Sequence, residues 1–522
     1  MTSGDRSHRA KTGWKEVVNM ASLQLSAGGT EVCLSVRQGV LLSEVLRQQG
    51  HPPAMPCAGQ GRCGKCRVLA SGALSAPSPA ERTHLTPEEL SRGVRLACCT
   101  RLEGNCQVTL SGGAHSQICL SGAMDTVALR PCFCAYGAAV DIGTTTLVAS
   151  LYGPEGILLA QASGINPQAA WGADVISRIE SALKGAGGAL AACVRGAIDD
   201  LLRRMAAQAR VGPGEIDALV ITGNTAMLHL FAQVSPEPLS HAPFACERLF
   251  GEVCPAASLG LSACPGASVY LPRCMSAFVG ADMTTALLAS GICGRAETRI
   301  LVDIGTNGEM ALWHGGVLLC CSTAAGPAFE GAGLSMGMPG QDGAVDHVAL
   351  QDGALLPHVI GGGPPKGICG SGVIDALACL LEIEALDETG LLETAPAPVA
   401  PTVALTQKDV RMVQLAKSAI SAGLRTLTRT AGLSCREVAE LVVAGGFGSY
   451  LDTTNAGRIG LIPEELVPRV RVVGNAALSG AAMLLLDREL APVCEGLARS
   501  ARTLELSANP IFTQFYTEGM LF

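Results

Sequence analysis

The chain has 522 residues, 48% of them hydrophobic, enough for several domains with substantial cores. A net charge of −8 with no basic stripe excludes a general nucleic-acid binder. No run is long and apolar enough to span a bilayer, the nearest being the short, glycine-broken Ala476–Leu486, and this excludes a membrane protein.

Residues 1–20 are a polar tail without the apolar centre of a secretory signal, so a cytoplasmic chain is expected. That compartment keeps thiols reduced. Most of the 22 cysteines, including the adjacent pairs Cys98–Cys99 and Cys320–Cys321, therefore read as small buried apolar residues, not disulfides. Their density fits an anaerobic setting. Residues 21–112 read as a small α/β unit, with strands at Ser22–Leu25 and Thr30–Val36, a helix near Leu41–Gln49, then PCAGQGRCGKCRV. Cys57, Cys63 and Cys66 have C-x5-C-x2-C spacing, and Cys98 follows in Arg95-Leu96-Ala97-Cys98. The first loop differs by one residue from the plant-type [2Fe–2S] pattern, C-x4-C-x2-C…C. Gly59, Gly61 and Gly64 allow a loop to turn its N–H groups toward the sulfides of a cluster. Zinc is the alternative, but zinc sites usually pair two short C-x2-C knuckles and only one is present. Cys99 and Cys106 are substitutes for Cys98, which is preferred because it follows Arg-Leu-Ala. Gly113–Gly137 reads as a linker; unstructured, it spans about 25–30 Å. Cys132 and Cys134 lie in it.

Next comes a repeated pattern. Asp141 closes a β-branched strand, and Gly143, Thr144, Thr145 and Thr146 form the turn after it. In RILVDIGTNGEM (299–310), Asp303 answers Asp141 and Gly305 answers Gly143, with Thr306, Asn307 and Gly308 following. Val148–Ala162 and Ala311–Ala324 then both read as strand, glycine-containing turn, strand, so two similar half-domains are expected. Glycine brings N–H groups close to an anion, threonine adds hydroxyl donors, and aspartate holds a phosphate-bound Mg²⁺ directly or through water. Two such turns across a cleft would grip a triphosphate from both sides. The Rossmann fingerprint fits less well, because it needs a helix directly after the glycines.

Trp171–Gln208 reads as largely helical, with Asp174 and Arg178 on one face, and Ile216–Phe231 as strand, Gly-Asn turn and helix. Val234–Ser276, rich in Pro and Cys, reads as an irregular insertion. At Gly361–Leu381 a glycine run precedes a helix opened by Gly370, Ser371 and Gly372; phosphate contact and tight helix packing are equal alternatives there. Leu391–Val403 reads as a surface loop. Thr406-x-x-Asp409 resembles a capping box for a helix reaching about Ala431. Glu440–Gly448 is a strand ending in Gly445, Gly446 and Gly448. Glu309 and Glu330 are the acidic candidates for orienting an attacking water, with Glu309 preferred because it adjoins the second turn.

PCAGQGRCGKC with RLAC resembles the β-grasp ferredoxin domain of reductive activators of corrinoid proteins. The remainder resembles their actin/Hsp70/sugar-kinase-type ATPase domain, through AVDIGTTT (139–146), GADVISRI (172–179), TGNTAMLHL (222–230), FVGAD (278–282), LVDIGTNGEM (301–310), AGPAFEGA (325–332), GICGSGVIDAL (367–377), AKSAISAG (416–423), AGGFGSYLD (444–452), VGNAALSGA (473–481) and NPIFTQFYTEGMLF (509–522). The resemblance implies an α/β fold. An N-terminal β-grasp ferredoxin-like domain (21–112) precedes a duplicated ribonuclease-H-like ATPase domain (138–522). It implies a [2Fe–2S] cluster on Cys57, Cys63, Cys66 and Cys98. ATP and Mg²⁺ would sit between the turns, with Asp141, Asp303 and Glu309 catalytic and adenosine over Gly445, Gly446 and Gly448. The implied activity is ATP-dependent transfer of one electron from the cluster to the Co(II) corrinoid of a methyltransferase corrinoid protein, restoring Co(I). A low-potential donor would reduce the cluster, and a homodimer is an open alternative for the assembly. Longer relatives carry a middle domain, and Gly113–Gly137 is too short to be one, so a short form is expected. Three rivals remain. An activator of a radical dehydratase would carry its cluster in the ATPase half, a small-molecule kinase would need a positioned general base, and a scaffold has no use for a ferredoxin module.

Overall fold

The computed structural model describes residues 20–27, 30–49, 53, 61, 64, 66–110, 127–244, 246, 248–446 and 451–522. The chain divides into two compact units, Met1–Gly113 and Ala114–Phe522.

The first unit begins with β1 (Met20–Ala27), β2 (Thr30–Arg37) and α1 (Leu42–Gln48). It continues through β3 (Arg67–Leu74), α2 (Pro79–His84), α3 (Pro87–Ser91), β4 (Val94–Leu96) and β5 (Leu102–Leu110). The strands form one sheet in the order β2-β1-β5-β3-β4, with β1 parallel to β5 and the other pairings antiparallel. Ala21, Leu23 and Leu25 are buried while Ser22 and Gln24 face out, the period-two pattern of a half-covered sheet. Leu42, Val45 and Leu46 recur at helical spacing on the buried face of α1. Ser43 and Leu42 N–H groups tie that helix to the carbonyls of Ala97 and Thr100, both at 2.9 Å.

The second unit carries one sheet design twice. An antiparallel meander, β6 (Tyr136–Ile142), β7 (Thr146–Tyr152) and β8 (Leu158–Ile165), leads into α4 (Val175–Ser181) and α5 (Gly187–Ala209). β9 (Ile216–Gly223) then pairs parallel with β6, and α6 (Thr225–Ala232) follows it. The stretch expected to be irregular instead supplies β10 (Glu252–Pro255) and β11 (Ser268–Leu271), and β11 extends the sheet parallel to β9. α7 (Ala281–Ser290) ends this half.

The second meander is β12 (Arg299–Ile304), β13 (Gly308–His314) and β14 (Val317–Thr323). After it, β15 (Ala344–Gln351), β16 (Ala354–Val359) and β17 (Gly367–Ile368) make a small sheet against which α8 (Gly370–Glu382) packs. The expected loop at Leu391–Val403 is a hairpin, β18 (Ala397–Ala400) and β19 (Val403–Leu405), because Ala397, Val399 and Val403 are buried. α9 (Gln407–Thr430) starts at Thr406 with the capping box that Asp409 completes. β20 (Glu440–Ala444) pairs parallel with β12. α10 (Thr453–Arg458) leads to β21 (Val470–Gly474), which pairs parallel with β20. α11 (Ala476–Leu486), α12 (Leu490–Ser500), β22 (Arg502–Leu504) and α13 (Pro510–Glu518) finish the chain. The two large sheets run β10-β11-β9-β6-β7-β8 and β21-β20-β12-β13-β14-β22. The meander of each is thus flanked by parallel strands on the same side.

The halves exchange helices. α7, which closes the first half, packs through Met283, Ala286 and Leu287 against Leu301, Ala311 and Val442 of the second sheet. α11 packs through Leu478, Ala482 and Leu485 against Ala139, Val148 and Val220 of the first. The two helices meet backbone to backbone, since a Cβ on Gly480 would lie 1.9 Å from the Thr285 carbonyl oxygen. Every residue of α11 is buried, which explains its apolar composition without a membrane. Among the described residues no helix is long and apolar enough to cross one.

The expected linker shortens at its far end. From Val127 the chain lies on the second unit: the N–H groups of Arg130 and Cys132 donate to the Leu486 and Leu485 carbonyls, at 2.9 and 3.0 Å. The Arg130 guanidinium forks onto Asp487 at 2.8 and 2.6 Å, and Phe133 is buried.

Candidate functional site

In the first unit, Cys57 and Cys63 lie outside the described residues. Cys66 and Cys98 are buried with their sulfurs 3.2 Å apart. Strand pairing makes them neighbours, because Cys66 precedes β3, Cys98 follows β4, and Arg67 sits opposite Leu96 in the ladder. A tetrahedral metal with metal–sulfur bonds of about 2.3 Å has a sulfur–sulfur edge of about 3.8 Å, so the two thiols suit one metal with a small outward shift. Gly61 and Gly64 both have positive φ, and a Cβ on Gly64 would lie 2.8 Å from the His84 Cβ. The loop is therefore built for glycine at both places. Cys99 stands 3.6 Å from Cys98, and burial pushes its thiol up to about 11. Cys106 sits within β5 opposite Gly72. Among the described residues of both units no group of three or more His, Cys, Asp or Glu side chains is placed to hold a metal ion by itself, and two of the four expected thiols lie outside them.

Sequence inspection passed over Glu81, which organises this region. Its enclosed carboxylate accepts from Arg95 Nε (2.8 Å) and Nη2 (3.1 Å), the Leu96 N–H (3.1 Å), the Thr100 hydroxyl (3.1 Å) and the Ser78 N–H (2.8 Å). Burial works to raise its pKa, yet the Arg95 fork and the two amides bring it down to about 2. The Ser78-x-x-Glu81 capping pattern was the available signal.

In the second unit Asp141 and Asp303 occupy equivalent strand ends, on β6 and β12. Burial pushes Asp141 up to about 6 against a 2.9 Å hydrogen bond from Asn475 Nδ2. Burial and the charges of Asp141 and Glu330 push Asp303 up to about 7. Asp282, in the first turn of α7, is pushed up to about 8 by burial and then by both aspartates. Glu309 on β13 is held well above the ordinary range by burial and by Asp282, although the Gly280 N–H donates to it at 3.2 Å. Four enclosed carboxylates thus converge, and no lysine or arginine pairs with them among the described residues. The four are not placed as a closed set of metal ligands; an acidic cluster of this kind suits a cation that keeps most of its water and touches one or two carboxylates. Asp282 and Asn475 were missed as site residues; each sits at the start of an apolar helix, and only the tertiary fold brings them to Asp141.

The two glycine turns face one carboxylate. Thr145 Oγ1 donates to Glu330, and so do the Thr306 N–H and hydroxyl, both at 2.9 Å. Glu330 therefore joins the first turn to the second. Thr144 Oγ1 accepts from Asn224 at 3.2 Å, and Thr146 opens β7. The glycines serve close approach. A Cβ on Gly143 would lie 2.7 Å from the Thr146 carbonyl, on Gly305 3.3 Å from Glu330 Oε1, and on Gly308 2.1 Å from Ile420. The Asn307 carbonyl accepts from the Gly305 N–H at 3.1 Å. Gly445, at φ +97°, sits against Asp303, 2.7 Å from a Cβ built there; Gly446 continues the turn and Gly448 lies outside the described residues. At Gly370 the packing alternative has direct support. Ser371 spends its hydroxyl on the Asp346 carbonyl (2.8 Å), and a Cβ on Gly372 would lie 2.2 Å from the Val345 oxygen.

Family comparison follows this division. A model of the 2Fe–2S iron–sulfur cluster binding domain matches residues 26–103, one of the RACo middle region matches 136–295, and one of the C-terminal domain of RACo, the ASKHA domain, matches 297–522. Corrinoid activation enzyme RamQ of Eubacterium limosum is 36% identical over 426 residues, 74% of this chain and 70% of that protein. The chain belongs to the reductive activators of corrinoid proteins. The [Co(II) methylated amine-specific corrinoid protein] reductase of Methanosarcina barkeri is 27% identical over 363 residues, 62% of this chain and 67% of that one. A solved reductive activator for corrinoid, iron–sulfur protein superposes with a TM-score of 0.69 at 26% identity, covering 96% of this chain and 98% of that one. One expectation is overturned: this activator is not a short form lacking the middle region. That region is present at 136–295 as the first copy of the duplicated sheet, and not as an extra fold inserted at Gly113–Gly137. The activator is an α/β protein with a ferredoxin domain ahead of an ASKHA domain.

Proposed function

We propose that this activator passes one electron from a [2Fe–2S] cluster to the Co(II) corrinoid of a methyltransferase corrinoid protein, restoring Co(I), and that it binds and hydrolyses ATP to drive the cycle. The observation that carries the ATP half is the convergence of Asp141 and Asp303, from equivalent ends of two sheets, in a carboxylate cluster that no lysine or arginine pairs with among the described residues. When bound, the cluster supplies a one-electron centre near about −400 mV and Mg²⁺–ATP supplies the free energy of phosphate transfer to water.

The chain's own residues divide the work. Cys57, Cys63, Cys66 and Cys98 would hold the cluster. Asp141 and Asp303 would hold Mg²⁺, and the turns at Gly143–Thr146 and Gly305–Gly308 would take the phosphates. The glycines Gly445, Gly446 and Gly448 would leave room for the nucleoside. Glu309 orients the attacking water, with Asp282 beside it to exchange the proton. Glu330 occupies the hydroxyls of Thr145 and Thr306, so a phosphate that claims those donors must displace it. That displacement changes how the half-domains are joined, and only a difference in partner affinity between joined and parted forms can bias electron transfer. A low-potential donor reduces the cluster before each transfer.

The test is anaerobic. Purified holo activator is mixed with a Co(II) corrinoid protein, and the Co(I) absorbance band and phosphate release are followed with and without ATP. ATP-dependent appearance of Co(I), lost in Asp141→Asn and Asp303→Asn, is the expected result. Co(I) formation indifferent to ATP and to both substitutions would refute the ATP half. A protein without iron and sulfide would refute the electron half.

A further inference from the structure

Arg178 has no part in that scheme, yet it is wholly buried behind the first phosphate turn. It projects from α4, whose amino end Asp174 caps by accepting from the Ser177 N–H at 2.8 Å. Its Nη2 donates to the Thr144 carbonyl at 2.6 Å, Nε to the Gly172 carbonyl at 2.9 Å, and Nη1 meets Met227 Sδ at 3.3 Å. Burial lowers its pKa to about 10, which leaves it charged at neutral pH, and Cys193, Asp174 and Glu330 act on it only at a distance. A guanidinium enclosed with carbonyls and a thioether, and without a carboxylate partner among the described residues, is costly unless an anion comes near.

Asn166 completes the arrangement. Its Nδ2 donates to the Gly143 carbonyl and its N–H to the Thr145 carbonyl, both at 2.8 Å. Three consecutive carbonyls, Gly143 to Thr145, are thereby held by Asn166 and Arg178. Across a trans peptide the C=O and the next N–H point in opposite directions, so the Thr144 and Thr145 amides are turned away from these two residues. Successive amides turned to one side form an anion-binding concavity, and here a fixed cation stands behind it.

We propose that Arg178 and Asn166 are positioning residues that pre-set the first turn for the polyphosphate of a nucleotide, the buried guanidinium supplying the charge which that ligand balances. This rests on the nucleotide reading above. The test uses the full holo chain, measuring the melting temperature without nucleotide and ATP binding by calorimetry for wild type, Arg178→Met and Arg178→Lys. Arg178→Met removes an unpaired buried charge but also the donor to the Thr144 and Gly172 carbonyls; the two effects oppose, so it is expected to melt within a few degrees of wild type and to bind ATP at least about tenfold more weakly. Arg178→Lys, which keeps the charge but not the fork, is expected to recover part of the affinity. Wild-type ATP affinity in Arg178→Met overturns the proposal, as does a melting temperature that falls in both variants in step with affinity. If Arg178→Met does not fold, Arg178→Lys decides, and full affinity there overturns it. A wild type that binds no ATP would instead overturn the nucleotide reading itself.

Discussion

Loading the carboxylate pocket with Mg²⁺–ATP at pH 7 is expected to drive protons off the protein. Burial first, and neighbouring charge second, hold Asp303 at about 7 and Asp282 at about 8; burial holds Asp141 at about 6. At pH 7 the cluster therefore holds protons that ordinary, exposed carboxylates would have lost. A divalent cation favours the ionised forms, so binding is expected to release on the order of one proton. By linkage, affinity tightens as pH rises, by at least about tenfold between pH 6 and pH 8. Calorimetric titration in two buffers of different ionisation enthalpy counts the protons. The same titration of Asp303→Asn subtracts the proton carried by the phosphate itself. Equal release from wild type and Asp303→Asn, or an affinity that weakens as pH rises, would refute the reasoning. The sign for stability is opposite. Raised carboxylates favour the folded chain below their unfolded pKa and lose that contribution as pH climbs through their folded values, so the ligand-free protein should melt lower at pH 8 than at pH 5.

Gly480→Ala places a methyl group against the Thr285 carbonyl and is expected to cost about 1–3 kcal/mol, seen as a lower melting temperature; an unchanged melt would rule out the backbone contact between α7 and α11. Cys98→Ser should lose cluster iron, sulfide and visible absorbance, whereas Cys99→Ser should keep them, because it is the Cys98 sulfur that lies beside Cys66, at 3.2 Å, while the Cys99 sulfur reaches Cys98 at 3.6 Å. Glu81→Ala strands Arg95 in a buried site and is expected to destabilise the ferredoxin unit by about 3–5 kcal/mol in chemical denaturation. With Glu81 intact, that unit should lose stability as pH falls from about 4.5 toward about 2, because the depressed carboxylate contributes above its unfolded pKa. Glu309→Gln should slow phosphate release by about a hundredfold or more with ATP affinity kept. Glu330→Ala should instead tighten ATP binding by freeing Thr145 and Thr306, and the reverse pattern would move the water-orienting role to Glu330.

Local pattern carried a large part of this architecture. The paired meanders were legible because strand, glycine turn and strand recur in step after Asp141 and Asp303, and α9 because Thr406 and Asp409 announce its start. β10 and β11 escaped notice, being four residues each, β10 with both a cysteine and a proline, and too short for alternation to register. Their place in the sheet comes from pairing with β9. The strap at Val127–Ala135 was equally opaque, since its partners Leu485, Leu486, Asp487 and Asp217 are remote in the chain. In the candidate site the aspartates and threonines were visible as a repeat. Asp282, Asn475 and Glu330's grip on both turns were not, because each depends on helices or loops that only the closed fold brings together.

Helix α11 is fastened at both ends. Asn475, at its start, holds the Asp141 carboxylate; Asp487, about 18 Å away along the axis, grips Arg130. A displacement of such a bar along its own axis is felt at both fastenings. The strap at Val127–Ala135 and the strand end that carries Asp141 are thus tied through one piece of secondary structure, a link that exists only in the folded second unit.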